Sequence, residues 1–208
     1  MRRVVVTGIG LITPLGTGKE KTWKALINGE CGIDKITAFD TAEHSVHIAA
    51  EVKDFNPEDF IEKKELKKLG RFSQFAIAAS KEALEDSGFK ITEENAERVG
   101  TIIGSGIGGL DIIEQEVGKL VERGPKKVSP FYIPAAILNM ASGNSSIYTG
   151  AKGPNKTVVT ACASGTNSIG DAFQAIMLNK ADVMIAGGTE ATVTPSGVAG
   201  FANLKALS

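Results

Sequence analysis

The residue best placed for covalent chemistry is Cys162, in the stretch Thr160-Ala161-Cys162-Ala163-Ser164-Gly165. An apolar, β-branched run, Thr157-Val158-Val159-Thr160, precedes it and predicts a buried strand. A helical pattern follows, with Ile169, Ala172, Phe173, Ile176 and Met177 on one face. The thiol therefore falls at a sharp strand-to-helix turn, beside a helix N-terminus. Unpaired N–H groups and the positive end of the helix dipole favour a thiolate there. The same N–H groups offer donors to an oxyanion formed by attack on a carbonyl. Small neighbours (Ala161, Ala163, Gly165) leave room for a substrate. From these residues alone a second reading stays open: a small buried thiol in a tight turn, with no chemistry.

Other reactive groups are few. His44 and His47 are the only histidines, and a Cys–His pair is the usual way to assist a thiolate. They lie in a polar, weakly structured segment and read as surface residues. No further ligands at metal spacing accompany them. Cys31 and Cys162 are far apart with no CxxC, which argues against a disulfide framework or a structural zinc. The spacing Gly104-x-Gly106-x-x-Gly109 fits a dinucleotide fingerprint after a strand. That fingerprint expects an acidic residue closing a second strand about 20 positions on. A loop carrying Pro125 and Pro130 stands there instead, so the glycines are assigned to tight turns and close approach to a site. Gly187-Gly188-Thr189-Glu190 ends a strand, as a turn or as a wall of the cysteine's site. The run Lys63-Lys64-Glu65-Leu66-Lys67-Lys68 is locally basic. With Lys126 and Lys127 it is either a solvated face or a patch for an acidic partner.

The elements that must position these groups alternate between strand and amphipathic helix, which implies an α/β layered domain. A strand is expected over 3–8, running into Gly8-Ile9-Gly10. A helix at about 18–28 follows, with Thr17 and Glu20 as a capping box and Trp23, Leu26 and Ile27 inward. Residues 71–87 form a helix with Phe72, Phe75, Ala76, Ala79 and Ala83 inward, ended by Gly88. A buried strand at 99–103 enters the glycine loop. A helix at 110–121 places Leu110, Ile113, Val117, Leu120 and Val121 on one face, and 134–148 is largely helical. Strand 157–160, helix 165–179 and strand 183–186 make a βαβ unit with parallel strands.

A net charge of −1 over 208 residues gives no global pull toward nucleic acid or anionic membrane. No stretch approaches a membrane span, and the first residues read as a strand rather than a signal peptide. The expected location is the cytoplasm. The ending Leu204-Lys205-Ala206-Leu207-Ser208 has no closing element and reads as cut rather than finished.

Several of these segments together resemble the β-ketoacyl-acyl-carrier-protein synthases, in particular the bacterial synthase II of fatty-acid elongation. They are the cysteine stretch, Ala186-Gly187-Gly188-Thr189-Glu190, Gly150-Ala151-Lys152-Gly153-Pro154-Asn155 and the start Arg3-Val4-Val5-Val6-Thr7-Gly8-Ile9-Gly10. The resemblance runs in order along the whole chain. It implies the N-terminal half, residues 1–208, of a thiolase-like fold: a mixed sheet flanked by helices, with the active site between two similar halves. Cys162 would accept an acyl chain from acyl carrier protein. Decarboxylation of malonyl-carrier protein would then yield a carbanion that attacks this thioester, giving a 3-oxoacyl chain. No metal or redox cofactor is implied.

The resemblance also makes Ile107 and Phe201 acyl-pocket residues. It makes Lys63, Lys64, Lys67, Lys68, Lys126, Lys127 and Lys205 a carrier-protein docking surface. Residues 131–148 become a dimer and pocket wall, with a homodimer as the full-length assembly. Gly70 stands where many relatives carry aspartate. The family's two catalytic histidines and supporting lysine lie in the second half, and His44 and His47 match neither. A non-catalytic carrier-binding or chain-length-determining subunit is the alternative, and retention of Cys162 favours the enzyme. A thiolase acting on coenzyme A thioesters fits less well, given the basic segment and the Ala-Cys-Ala-Ser-Gly context. Helix 165–179 is expected to expose an apolar face.

Overall fold

The computed structural model describes residues 2–207. In chain order the elements begin with β1 (Ile12–Thr13), β2 (Gly16–Thr17), α1 (Lys19–Ile27), β3 (Asp34–Lys35) and β4 (Ile48–Ala49). Helices α2 (Lys63–Leu66) and α3 (Arg71–Ser87) lead to β5 (Val99–Gly104), α4 (Leu110–Arg123), α5 (Tyr132–Ala136) and α6 (Met140–Thr149). The chain then forms β6 (Asn155–Lys156), α7 (Ser164–Met177), β7 (Val183–Gly188) and α8 (Pro195–Asn203).

Strand β5 is the centre of the domain. All six of its residues are buried, as expected for a parallel strand covered on both faces. It pairs in parallel with β6 on one side and β7 on the other, from Val99 opposite Val183 to Gly104 opposite Gly188. The period of two sorts its side chains between layers. Ile103 packs with Phe72, Ala76 and Ala141 of α3 and α6. Thr101 and Ser142 exchange hydrogen bonds to each other's carbonyls, at 3.3 and 3.0 Å. Gly104 instead abuts the start of α7. The expected strand–helix–strand order is present with its first strand at Asn155–Lys156 instead of 157–160, and β5 lies between the two parallel strands. Among the described residues, antiparallel pairing is confined to the short pairs β1–β2 and β3–β4.

Helix α3 spans the predicted residues and stops at Gly88 in the left-handed region, φ 67°. It is buried around more of its girth than its apolar stripe implies, with Ser73, Ile77, Ala78 and Ser80 inward beside Phe72, Phe75 and Ala76. Buried hydroxyls report close approach rather than hydrophobicity: Ser80 donates to the Ala76 carbonyl within its own helix at 2.7 Å.

Four expectations differ. Residues 3–8 form no ladder, and Val6 is 79% exposed. The segment lies along α3 instead, where a Cβ at Gly8 or Gly10 would overlap the Ala83 or Ala79 carbonyl. Just past it, two N–H groups find carboxylates of the same helix, Ile9 on Asp86 Oδ2 at 2.9 Å and Leu11 on Glu82 Oε2 at 3.1 Å. The buried strand expected at 157–160 does not form: ladder pairing stops at Asn155 and Lys156, just before it, and Val159 is exposed. Helix α1 has Gly18 at its N-cap with no side-chain cap, because Thr17 Oγ1 donates to the Asp54 carbonyl. Thr22 and Ala25 face inward, and Trp23, Leu26 and Ile27 are exposed. In α4, Val117, Leu120 and Val121 are exposed. The buried residue there is Glu116, which accepts from Lys119 Nζ at 2.6 Å and the Ser129 N–H at 2.7 Å. Those donors hold its carboxyl below the usual range. Helix α7 exposes Ile169 and Phe173, as expected.

Candidate functional site

Cys162 is exposed, one residue before the N-cap of α7. A lone bridge links Thr160 and Cys162, and Ala161 between them takes a left-handed φ of 50°. A non-glycine residue in that region is uncommon and has to be held there by its surroundings. Ser164 supplies much of the hold. Its Oγ accepts from the Thr160 N–H at 2.9 Å and donates to the Ala161 carbonyl at 2.7 Å. Asn167 Nδ2 donates to Thr160 Oγ1 at 3.0 Å, which ties the second turn of α7 to the same strand end. A serine two places after the cysteine, opening a helix, is the signal by which this staple is legible in sequence.

One expectation at the turn is narrowed. The N–H groups of Ala163 and Ser164 donate to the carbonyls of Thr160 and Ala161, both at 3.1 Å. These two donors close the turn and are not free to hold an oxyanion.

Tight approaches bring the remaining walls together. A Cβ on Gly188 would lie 2.8 Å from Gly165 Cα, so β7 and α7 meet backbone to backbone. A Cβ on Gly104 would lie 2.5 Å from the Ser164 carbonyl oxygen. The loop 104–109 thus runs beside the cysteine turn, carrying the half-buried Ile107. Its far side rests on the turn between α5 and α6, where the Gly109 N–H donates to Ala136 at 3.0 Å. Glu190, just past β7, accepts the N–H groups of Gly106, Ile107 and Gly108 at 2.8, 3.0 and 3.1 Å. Ser105 Oγ adds a contact at 3.3 Å. Sequence inspection marks this glutamate only as a turn or a wall; the cradle needs the fold to be seen.

Phe201 is exposed on α8. The first turn of α8 rests on α4, through Thr194 Oγ1 and the Ser196 N–H on Glu114 Oε1, each at 2.8 Å. Neither Ile107, Phe201 nor Cys162 lines the cavity of about 1030 Å³ that Glu51, Arg71, Asp111, Glu114 and Glu190 enclose. Arg71 donates to the Val52 carbonyl at 2.8 Å and lies 4.9 Å from the centre of the Phe75 ring. Burial pulls its guanidinium below the ordinary arginine range and pushes the Asp111 carboxyl up. Gly70, before Arg71, has no room for a side chain, since a Cβ would lie 2.5 Å from the Ala135 carbonyl.

The seven lysines do not behave alike. Lys63, Lys64 and Lys68 pair with Glu58, Glu62 and Glu65. Among the described residues, Lys67, Lys126, Lys127 and Lys205 form no ion pair and are exposed. Lys68 Nζ sits 5.8 Å from the centre of the Phe131 ring, which brings α2 beside the loop carrying Lys126 and Lys127. His44 and His47 are engaged within their own segment, His44 against the Phe39 ring and His47 Nδ1 with Thr41 Oγ1 at 3.1 Å. Among the described residues no cluster of His, Cys, Asp or Glu could hold a metal. No helix there is long and apolar enough to cross a membrane.

The family model for the N-terminal domain of β-ketoacyl synthases matches residues 1–208. The chain is 50% identical over 207 residues to a 3-oxoacyl-[acyl-carrier-protein] synthase 2 of Staphylococcus aureus, covering all of this chain and 50% of the relative. It is 51% identical over 207 residues to the synthase 2 of Vibrio harveyi, again with 50% of the relative covered. The chain therefore spans about half the length of these curated relatives. Among solved structures, the ishigamide ketosynthase/chain length factor superposes with a TM-score of 0.87 at 32% identity, over 100% of this chain and 52% of that one. A ketosynthase in complex with a type II polyketide acyl-carrier protein superposes at 0.82 and 28% identity, over 97% of this chain and 54% of that one.

Proposed function

Because the chain belongs to the β-ketoacyl synthase family through its N-terminal domain, we propose that it bears the nucleophile of a fatty-acid-elongating 3-oxoacyl-acyl-carrier-protein synthase. The carrying observation is Cys162: exposed, on a braced strand-to-helix turn, in a chain half identical to synthase 2 enzymes. In the first step the Cys162 sulfur attacks the carbonyl carbon of an acyl thioester. A new S–C bond forms as the carrier's own thiol leaves and takes up the proton lost from Cys162. In the second, malonyl-carrier protein loses CO2, and its α-carbon forms a C–C bond to the acyl carbonyl. The Cys162 sulfur departs, and the 3-oxoacyl chain remains on the carrier. By the family resemblance, the histidines assisting decarboxylation belong to the second half of the synthase fold, and His44 and His47 match neither.

The partner this reading names is acyl carrier protein, an acidic protein by the chemistry of a lysine-lined dock. Lys67, Lys126 and Lys127 are the cations free for it, with Lys205 as an outlying contact. Reversing Lys126 and Lys127 to Glu should weaken carrier binding at least about tenfold at low salt, with the deficit shrinking as salt rises. Titration by fluorescence anisotropy reads this; an unchanged affinity removes these two residues from the dock. Exposed Ile133, Ile137 and Ile147 on the 131–148 wall support a homodimer, which sedimentation velocity tests. Two free cysteines suit a reducing compartment, and the cytoplasm is the location proposed.

The test of the nucleophile uses the protein expressed from its full gene. Incubated with hexadecanoyl-carrier protein, it should gain one acyl mass on the peptide containing Cys162, and Cys162→Ala should gain none while melting normally. Acylation that persists in Cys162→Ala would end the proposal. One structural neighbour is a ketosynthase/chain length factor, which supports a second reading, a non-catalytic subunit. Absence of any thioester on Cys162 would favour it.

A further inference from the structure

We propose that Glu190 is a positioning residue that sets acyl-chain selectivity by pinning the 104–109 loop against the cysteine turn. This inference rests on the acyl-transfer reading above. Three successive backbone N–H groups and one hydroxyl converge on a single carboxylate, with N–H to oxygen distances of 2.8–3.1 Å. Successive N–H groups turned to one side form an anion-binding concavity, and here the chain supplies its own anion.

The geometry says what the pinning controls. Both Glu190 Oε2 and the Ala161 carbonyl lie within 3.5 Å of where a Gly106 Cβ would be, so loop, carboxylate and cysteine turn meet at one point. Ile107, next in sequence, is the one large apolar side chain of the loop. In this proposal an acyl group on Cys162 meets Ile107 on that wall. The three N–H groups are directed at Glu190, so they are not donors to the reacting carbonyl. Losing the carboxylate therefore frees the wall beside the thioester without removing a group that touches it. Glu190 is solvent-exposed, and the charge-assisted bonds hold the loop with no buried ion to stabilise.

Glu190→Gln keeps the length and one acceptor oxygen but turns an NH2 toward backbone donors. In the protein expressed from its full gene, hydrogen exchange of the 104–109 amides should speed up by about tenfold in Glu190→Gln, with exchange of β5 unchanged. The ratio of Cys162 thioester formation from hexanoyl- and hexadecanoyl-carrier protein should move by about tenfold or more. Alkylation of Cys162 by iodoacetamide should stay within about twofold of the unsubstituted protein. Unchanged exchange overturns the pinning. Faster exchange with an unchanged acyl ratio, both donors slowing together, overturns the selectivity role and leaves Glu190 a stabilising residue only. Collapsed alkylation in a folded variant also overturns the proposal, by showing that Glu190 acts on the sulfur. If the unsubstituted protein forms no thioester with either donor, the acyl-transfer reading fails and selectivity with it. The exchange measurement then judges the pinning by itself.

Discussion

Two turns meet at the candidate site, and they are braced from different distances. The cysteine turn is closed by near neighbours. Ser164 holds Thr160 and Ala161, four and three residues before it, and Asn167 reaches seven residues back. The 104–109 loop is held by Glu190, 82 to 85 residues away in sequence. A nucleophile on a short-range brace keeps its shape if the strand order nearby is disturbed. A wall held across a sheet depends on β5 and β7 being paired in register. The reactive atom is thus locally specified, and the surface that would choose its substrate is specified by the fold.

The contact between the turns is the most sensitive place to test this contrast. Gly104→Ala puts a methyl 2.5 Å from the Ser164 carbonyl. The expected loss is about 1–3 kcal/mol, the cost of overpacking a site with backbone on the far side. Gly118→Ala serves as its counterpart, since nothing lies within 4 Å of that Cβ in the middle of α4. It should stabilise by about 0.5–1 kcal/mol through helix propensity. Urea denaturation of both variants checks the pair, and equal midpoints would mean that the close approach at Gly104 is not real.

Breaking the local brace should matter nearly as much. Ser164→Ala removes one donor and one acceptor from a buried position, with an expected loss of about 1–2 kcal/mol. Alkylation of Cys162 should slow as Ala161 leaves its left-handed conformation, while exchange of the 104–109 amides should not change. If loop exchange rises as much as in the Glu190 variant, the two turns are one unit, and the contrast between them fails.

The smallest expected effect lies behind the loop. Asp111 Oδ1 is buried without a hydrogen-bond partner, and burial raises its carboxyl pKa. A carboxyl that holds its proton more tightly when folded penalises the fold fully above its folded pKa. The penalty is relieved as pH falls through that value. Asp111→Asn should therefore raise stability at neutral pH by on the order of 1 kcal/mol, and the gain should fade on acidification. A gain that grows toward acid would show that Arg71 already compensates the charge. Asp182 works in the opposite sense: hydrogen bonds from Arg98 and Arg2 hold its carboxyl far below the carboxylate range. Its contribution is present above the ordinary aspartate pKa and fades only in strong acid.

Much of this was legible in the residues. The span of α3, its left-handed stop at Gly88 and the run of β5 into a glycine loop follow from pattern and turn chemistry. So does the place of Cys162 at a helix start. What failed shares a cause. Trp23, Leu26 and Ile27 form an apolar stripe, yet Thr22 and Ala25 of α1 face inward. Residues 3–8 have the composition of a strand and no ladder partner; the segment lies along α3, where Gly8 and Gly10 meet the Ala83 and Ala79 carbonyls. Periodicity says which residues can be buried, and only neighbours say against what.

The cysteine turn and the glycine loop divide along the same line. Types and order within residues 160–167 specify a thiol on a braced turn, since every group that braces it lies within about two helical turns of Cys162. Whether its amides are free for an oxyanion, and what carboxylate holds the wall beside it, depend on atoms far apart in the chain. Parallel strands need long crossovers, so the residues that meet at their ends are separated in sequence by whole elements. Glu190 on the 104–109 loop is such a meeting, visible only once β5 and β7 lie side by side.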